Sequence, residues 1–385
     1  MVYMKPENLK DFIQSANINF LIGSGLSRPY LETLGNIETN LYLLQENKDL
    51  SEKVKDIVRA SIYREYFYKV MLPNKIMGDE DLYDEVIKNY QRFITLWNGI
   101  VHNRCGNIRS KQINIFSTNI DLFVEKAAEL CGVELIDGFQ GSIKPIFKES
   151  NFQKTIMKNS VHFQNVSELP VFNLLKIHGS INWRVNNDEI TNDASLDIIG
   201  RIHNCLTALD TVLVPYTLDL QPMITAAEEV VFKSDFSSEK IKLFNEAYYQ
   251  LVIVNPTKRK FSETVVDHHF YELMRIFSNS LEKENSLLFV MGFSFADEHI
   301  LKITQRALKT NPTLLVIIFA YDQEAYDVFI ERFGEIPNVK VLLNGGDDTR
   351  TEESPQTLNY GFKEINDTYA KILDLIPLNF NHGRK

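Results

Sequence analysis

Ile113-Asn114-Ile115-Phe116-Ser117-Thr118-Asn119-Ile120-Asp121 and Val171-Phe172-Asn173-Leu174-Leu175-Lys176-Ile177-His178-Gly179-Ser180 decide the fold of this chain. In each, a short, largely apolar run gives way at once to a polar cluster. Each predicts a buried strand with polar residues at its carboxyl end. In open parallel sheets the ligand crevice lies just outside the carboxyl ends of the strands. Asn119, Asp121 and His178, delivered there from different strands, make a catalytic set.

Further strands are predicted on either side. Asn19-Phe20-Leu21-Ile22 ends in Gly23-Ser24-Gly25-Leu26-Ser27-Arg28-Pro29, and the run from Leu287 to Met291 ends in Gly292-Phe293-Ser294-Phe295. Leu314 to Phe319 and Val339 to Leu343 read as two more. Val212-Leu213-Val214-Pro215 and Leu251-Val252-Ile253-Val254 read as shorter ones. Helices are predicted over 6–16, 122–130, 238–249, 265–281, 323–333 and 362–376, with another starting near Asp297. Between 81 and 100, Leu82, Val86, Ile87, Tyr90, Phe93, Ile94 and Trp97 recur at helical spacing. Residues 138–170 resist assignment. Strands alternating with helices predict an α/β fold built on a Rossmann-like parallel sheet. Large helical insertions are expected at about 31–101 and 184–245. Residues 1–345 read as one catalytic domain and 346–385 as a C-terminal helical tail.

The 385 residues suffice for a large core, and 44% hydrophobic with 24% charged residues is ordinary for a globular protein. No apolar run reaches the roughly 18 residues that span a bilayer. The N-terminus lacks a signal-peptide apolar stretch. The expectation is a soluble, cytoplasmic protein. A net charge of −10 disfavours bulk attraction to nucleic acid or an anionic membrane, though it leaves a local basic groove open. Cys105, Cys131 and Cys205 are too widely spaced for a zinc knuckle or a disulfide framework.

Gly23-Ser24-Gly25 follows a strand, and its glycines would let backbone N–H groups approach a phosphate. Arg28 occupies the place of the third glycine of a dinucleotide-binding loop, so a tight strand-to-helix turn is an equal alternative. Arg28 either reaches a pyrophosphate or faces solvent. Asp121 suits a helix cap as well as a site, and His178 alone suits a structural histidine. Ser294, after Gly292, suits a ribose hydroxyl or a plain turn. Asp297-Glu298 reads as the cap of the next helix. Asp267-His268-His269 looks like a metal cluster, but adjacent helix residues do not share a face. Lys258-Arg259-Lys260 reads as a solvated loop, with a phosphate contact the alternative.

Taken in order, these clusters resemble the sirtuin fold superfamily. Gly23-Ser24-Gly25-Leu26-Ser27 is similar to its Gly-Ala-Gly-x-Ser phosphate loop. Ser117-Thr118-Asn119-Ile120-Asp121 is similar to its Thr-Gln-Asn-Ile-Asp motif. Lys176-Ile177-His178-Gly179-Ser180 resembles its Leu-His-Gly motif, and Gly292-Phe293-Ser294 its late Gly-x-Ser loop. The longer strings Ser27-Arg28-Pro29, 178–183 and 292–300 resemble bacterial sirtuin-like defence proteins. Sirtuin deacylases usually carry a zinc held by two Cys pairs, which this sequence lacks. The resemblance therefore implies a sirtuin fold with no zinc module, and cleavage of NAD+ by water rather than deacylation. It implies that Asn119 and His178 act on the nicotinamide ribose and the water, with Asp121 in support. It further implies that Gly23, Ser24, Gly25, Ser27 and Arg28 hold the pyrophosphate, and Gly292 and Ser294 the adenosine ribose. It implies NAD+ depletion in anti-phage defence, with a HerA-type ATPase as partner. DNA is then reached only through that complex. Surplus apolar residues such as Tyr63, Tyr66, Phe67, Tyr68 and Trp97 either complete the core or build a homo-oligomer. A nucleotide-binding scaffold and a nuclease subunit are the rival readings.

Overall fold

The computed structural model describes residues 6–33, 37–104, 110–162, 165–233, 239–254, 265–334, 336–344 and 359–376. Seven strands form the central sheet: β1 (Asn17–Ile22), β2 (Gln112–Ser117), β3 (Glu134–Ile136), β4 (Val171–Lys176), β5 (Ser286–Met291), β6 (Leu315–Phe319) and β7 (Val339–Leu342). Their order is β7-β6-β5-β1-β2-β4-β3, and every neighbouring pair is parallel. The fold is thus α/β with a Rossmann-like parallel sheet. From β1 the chain builds outward through β2 and β4, then returns across β1 to begin β5. That reversal beside β1 is the point where such sheets open a crevice.

Both faces of the sheet are covered, which is why its strands read as apolar runs rather than alternating ones. Ile18, Phe20 and Ile22 face helices Pro6–Ser15, Glu80–His102, Phe123–Cys131 and Phe362–Leu375. Leu21, Phe116, Leu175, Leu288 and Val290 face helices Val265–Glu282, Glu298–Thr310 and Gln323–Phe333. Phe20 lies at the centre of the first face, with its ring 5.0 Å from Phe93, 4.8 Å from Trp97 and 5.3 Å from Phe289. Such aromatic contacts contribute about 0.5–1.5 kcal/mol each beyond burial.

A second apolar core is made by helices Ile37–Glu46, Glu52–Tyr66, Asp197–Thr207, Leu220–Lys233 and Glu239–Tyr248. It joins Ile120, Ile181 and Ile253, so this helical layer sits on the carboxyl ends of β2 and β4. Tyr63, Tyr66 and Phe67 are buried in it, with Tyr63 stacked on Tyr248 at 4.3 Å. Trp97 is buried against the sheet.

Two expected strands do not form. At Leu213 and Val214 a turn and helix side chains satisfy the backbone instead of a ladder: Leu213 N donates to Leu209 O at 3.1 Å, Val214 N donates to Ser61 Oγ at 3.0 Å, and Arg64 donates to the Val214 carbonyl at 2.8 Å. Residues 251–254 form a strap with a single antiparallel bridge, between Ile253 and Gly179. The stretch that resisted assignment supplies Phe139–Gln140 and Ile146–Phe147, which join Trp183–Asn186 and Glu189–Asn192 in a small four-stranded sheet. It also supplies the pair Met157–Asn159 and Val166–Glu168. Among the described residues no helix is long and apolar enough to cross a membrane.

Candidate active site

One rung of the sheet brings the clusters together. Ile22 pairs with Ser117 and with Met291, and Ser117 pairs with Lys176. Gly23, Thr118, Ile177 and Gly292 are therefore the first residues beyond a common rung. Asn119 and His178 each lie two residues beyond it.

The glycines let two loops touch. Gly23 N donates to Met291 O and Gly25 N to Gly292 O, both at 3.0 Å. A Cβ on Gly23 would lie 2.4 Å from Gly292 O, and one on Gly292 would lie 2.6 Å from Leu26 N. Gly292 also has φ +61°, which disfavours any other residue. Ser24 and Gly25, in the single 3-10 turn Ser24–Ser27, are exposed, as are Arg28 and Ser294. The Ser294 carbonyl is held by Arg332 at 2.8 Å.

Asn119 is only 6% exposed. Its Nδ2 donates to Gly23 O at 3.1 Å and to Ser27 Oγ at 3.3 Å. Its Oδ1 is buried with no protein partner. Ser27 donates to Asp121 Oδ2 at 2.7 Å and meets the Tyr90 hydroxyl at 3.0 Å. The other Asp121 oxygen accepts from Phe123 N at 3.2 Å, at the start of the following helix. Asp121 thus does the helix-start work its position suggested, and its second oxygen enters the Ser27 network. Behind it, the buried Lys176 ammonium donates to the Asp121 carbonyl and pairs with Glu125 at 3.0 Å. Burial pushes the Glu125 carboxyl up, and Lys176 only partly offsets that. Burial and the nearby Asp121 charge push the Tyr90 phenol well up, so it stays protonated.

His178 Nε2 lies 3.1 Å from Asp297 Oδ2. Asp297 Oδ1 accepts from His299 N at 2.8 Å and Ile300 N at 3.2 Å, capping helix Glu298–Thr310. Burial alone would raise the Asp297 carboxyl. The His178 hydrogen bond and charge, with the two cap amides, outweigh it and hold the group below its usual value. The strap crosses here: Val254 N donates to His178 O at 2.9 Å, and Ser180 N to Val252 O at 3.2 Å. Gly179, at φ +76°, leaves no room for a Cβ, which would lie 2.1 Å from Val252 O.

The geometry thus brings Asn119, Asp121 and Ser27 into one hydrogen-bonded network with Gly23. It holds His178 on a neighbouring strand end. Arg28 and Ser294 stay at the exposed rim. Asp297 as the partner of His178 escaped the sequence reading, because its position announced only a cap. Tyr90 looked like one more apolar-face residue, and Lys176, although it stands in a quoted motif, gave no sign of its buried contacts. His269 pairs with Glu149, and His268 is exposed. Among the described residues no group of three or more His, Cys, Asp or Glu is placed to hold a metal. Cys131 and Cys205 are free thiols. Cys105 and Lys258-Arg259-Lys260 lie outside the described residues. A cavity of ≈ 860 Å³ in the helical layer, bordered by Leu213, Pro222, Ala226 and Val230, includes none of the site residues. Compared with protein-family models and with curated proteins, the chain matches none.

Proposed function

We propose that this protein is a sirtuin-like NAD+ hydrolase that releases nicotinamide and ADP-ribose. In this reading it acts in bacterial anti-phage defence by depleting NAD+, in a homo-oligomer controlled by a HerA-type ATPase. One observation carries the chemistry: the unpartnered Asn119 carbonyl and His178, which pairs with Asp297, each lie two residues past a common rung beside the sheet's reversal point.

The reaction asks for positioning more than for a strong nucleophile. The nicotinamide nitrogen is cationic while bound to C1′, so it leaves readily, and the breaking bond builds oxocarbenium character. Water oxygen forms the new bond to C1′ as the C1′–N bond breaks, and that electron pair returns to the ring as neutral nicotinamide. The water proton goes to His178. An ionised Asp297 favours a proton on the His178 nitrogen facing it, which leaves Nδ1 as the base. Asn119 Oδ1 accepts from the water or a ribose hydroxyl. Ser24 and Gly25 are exposed and suited to the pyrophosphate, with Arg28 at the rim, and Ser294 is suited to the adenosine ribose. Ser27 and Asp121 are buried, with 1% and 4% exposure, and act by orienting Asn119. Chromatography of NAD+ incubated with the protein, alone and with its ATPase partner, tests the reading. Equimolar nicotinamide and ADP-ribose are expected; intact NAD+ under both conditions would refute it.

A further inference from the structure

We infer that Tyr90 is a positioning residue: through the Ser27 hydroxyl it fixes the Asn119 side-chain amide so that its carbonyl oxygen, not its nitrogen, is offered to the substrate. The inference rests on the hydrolase reading for its kinetic consequence, but not for its geometry.

The hydrogen-bond polarity follows from what each group is able to do. Gly23 O only accepts, so the Asn119 atom 3.1 Å away is nitrogen. The second Nδ2 hydrogen goes to Ser27 Oγ at 3.3 Å. Both donors are then spent, and Oδ1 points away, buried and unpartnered. Ser27 Oγ accepts from Asn119 through a lone pair, which leaves its single proton to be donated elsewhere. Asp121 Oδ2, at 2.7 Å, takes that proton. Tyr90, at 3.0 Å, then has to donate to Ser27, since the single Ser27 proton is already used. Tyr90 stacks on Phe123 with centroids 5.4 Å apart and planes 1° from parallel, and packs edge-on against Phe362. Its hydroxyl is therefore held in place by apolar packing from two helices. An acceptor left unpaired in a buried site is costly, and a donor arriving with the substrate removes that cost.

Two measurements test the relay. Asn-selective ¹⁵N labelling, with the Asn119 signal assigned by its loss in Asn119→Asp, reads the side-chain amide directly. Slow exchange with water is expected in the wild type, and faster exchange in Ser27→Ala and in Tyr90→Phe. Exchange in the wild type as fast as at an exposed side chain would overturn the relay, whatever the protein does to NAD+. In turnover, Tyr90→Phe keeps the ring packing and is expected to lower kcat about fivefold, the scale of one hydrogen bond, with KM unchanged. In a Ser27→Ala background the same change should add nothing. Losses that multiply in the double variant would overturn the relay. If the wild type consumes no NAD+ while its Asn119 amide is protected, the relay stands and the hydrolase reading alone fails.

Discussion

Asp297 serves two partners with its two oxygens, one closing the first turn of a helix and the other holding His178. Asp297→Asn separates the two roles, because Asn caps a helix about as well as Asp but cannot hold the imidazole in the same tautomer. The expected result is a kcat loss of at least about 10²-fold with only a small fall in melting temperature at pH 8. The same variant reports on stability against pH. The folded-state pKa of Asp297 is depressed, so its contribution is full above the ordinary carboxylate value near 3.9 and is lost as pH falls through the lower folded value. Urea midpoints of wild type and Asp297→Asn should keep a constant gap down to about pH 4 and converge below it. A gap that widens in acid would contradict the pairing. At this scale the sequence was informative wherever a residue type follows a strand: the places of Asn119, Asp121 and His178 just past strand ends were readable from it. The contacts of Tyr90 and Lys176 and the second role of Asp297 were not, because their partners lie 63, 55 and 119 residues away.

Strand ends were legible because buried parallel strands are apolar on both faces and stop at polar residues. The same rule failed at 212–215 and 251–254, where apolar residues are buried by helices and a strap rather than by a sheet. An irregularity inside the sheet is equally informative. Asn19, Asn114 and Asn173 share one rung of β1, β2 and β4. Asn114 Nδ2 donates to Asn19 Oδ1 at 2.9 Å, and Asn173 Nδ2 to Asn114 Oδ1 at 3.0 Å. The amides pair in this register, with Asn173 Oδ1 left buried and unpartnered at the end of the ladder, and a slip by one residue would break both bonds. Asn114→Ala leaves both neighbours short of a partner and should cost about 1–3 kcal/mol in urea unfolding. A cost below about 0.5 kcal/mol would contradict the ladder. At the loop after β5, Gly292→Ala meets both the Leu26 amide and a left-handed backbone. It should cost about 1–3 kcal/mol and reduce turnover further than stability loss explains.

At the scale of the whole molecule, the aromatic residues that pointed toward subunit contacts are largely internal: Tyr63, Tyr66, Phe67 and Trp97 are buried. The helical layer consumes Tyr63, Tyr66 and Phe67 in a second core, and Trp97 packs against the sheet, a fate that a sequence cannot distinguish from an interface, since both reward the same apolar stripe. Among the large apolar residues the layer leaves exposed are Tyr42, Leu43, Leu218, Phe232 and Leu243. Assembly is therefore a matter for direct measurement: light scattering on the purified chain should give an integral multiple of the single-chain mass, and a strict monomer at micromolar concentration would contradict the proposed homo-oligomer. The layer sits over the carboxyl ends of β2 and β4, and its strap bonds the His178 carbonyl. The candidate site and the second core are thus parts of one structure. The central claim is chemical, and NAD+ turnover by wild type, Asn119→Ala and His178→Ala tests it most directly. The account predicts equimolar nicotinamide and ADP-ribose from the wild type with its partner, and a fall of at least about 10²-fold in each variant at unchanged melting temperature. Intact NAD+ with the wild type, or wild-type turnover in either variant, would contradict it.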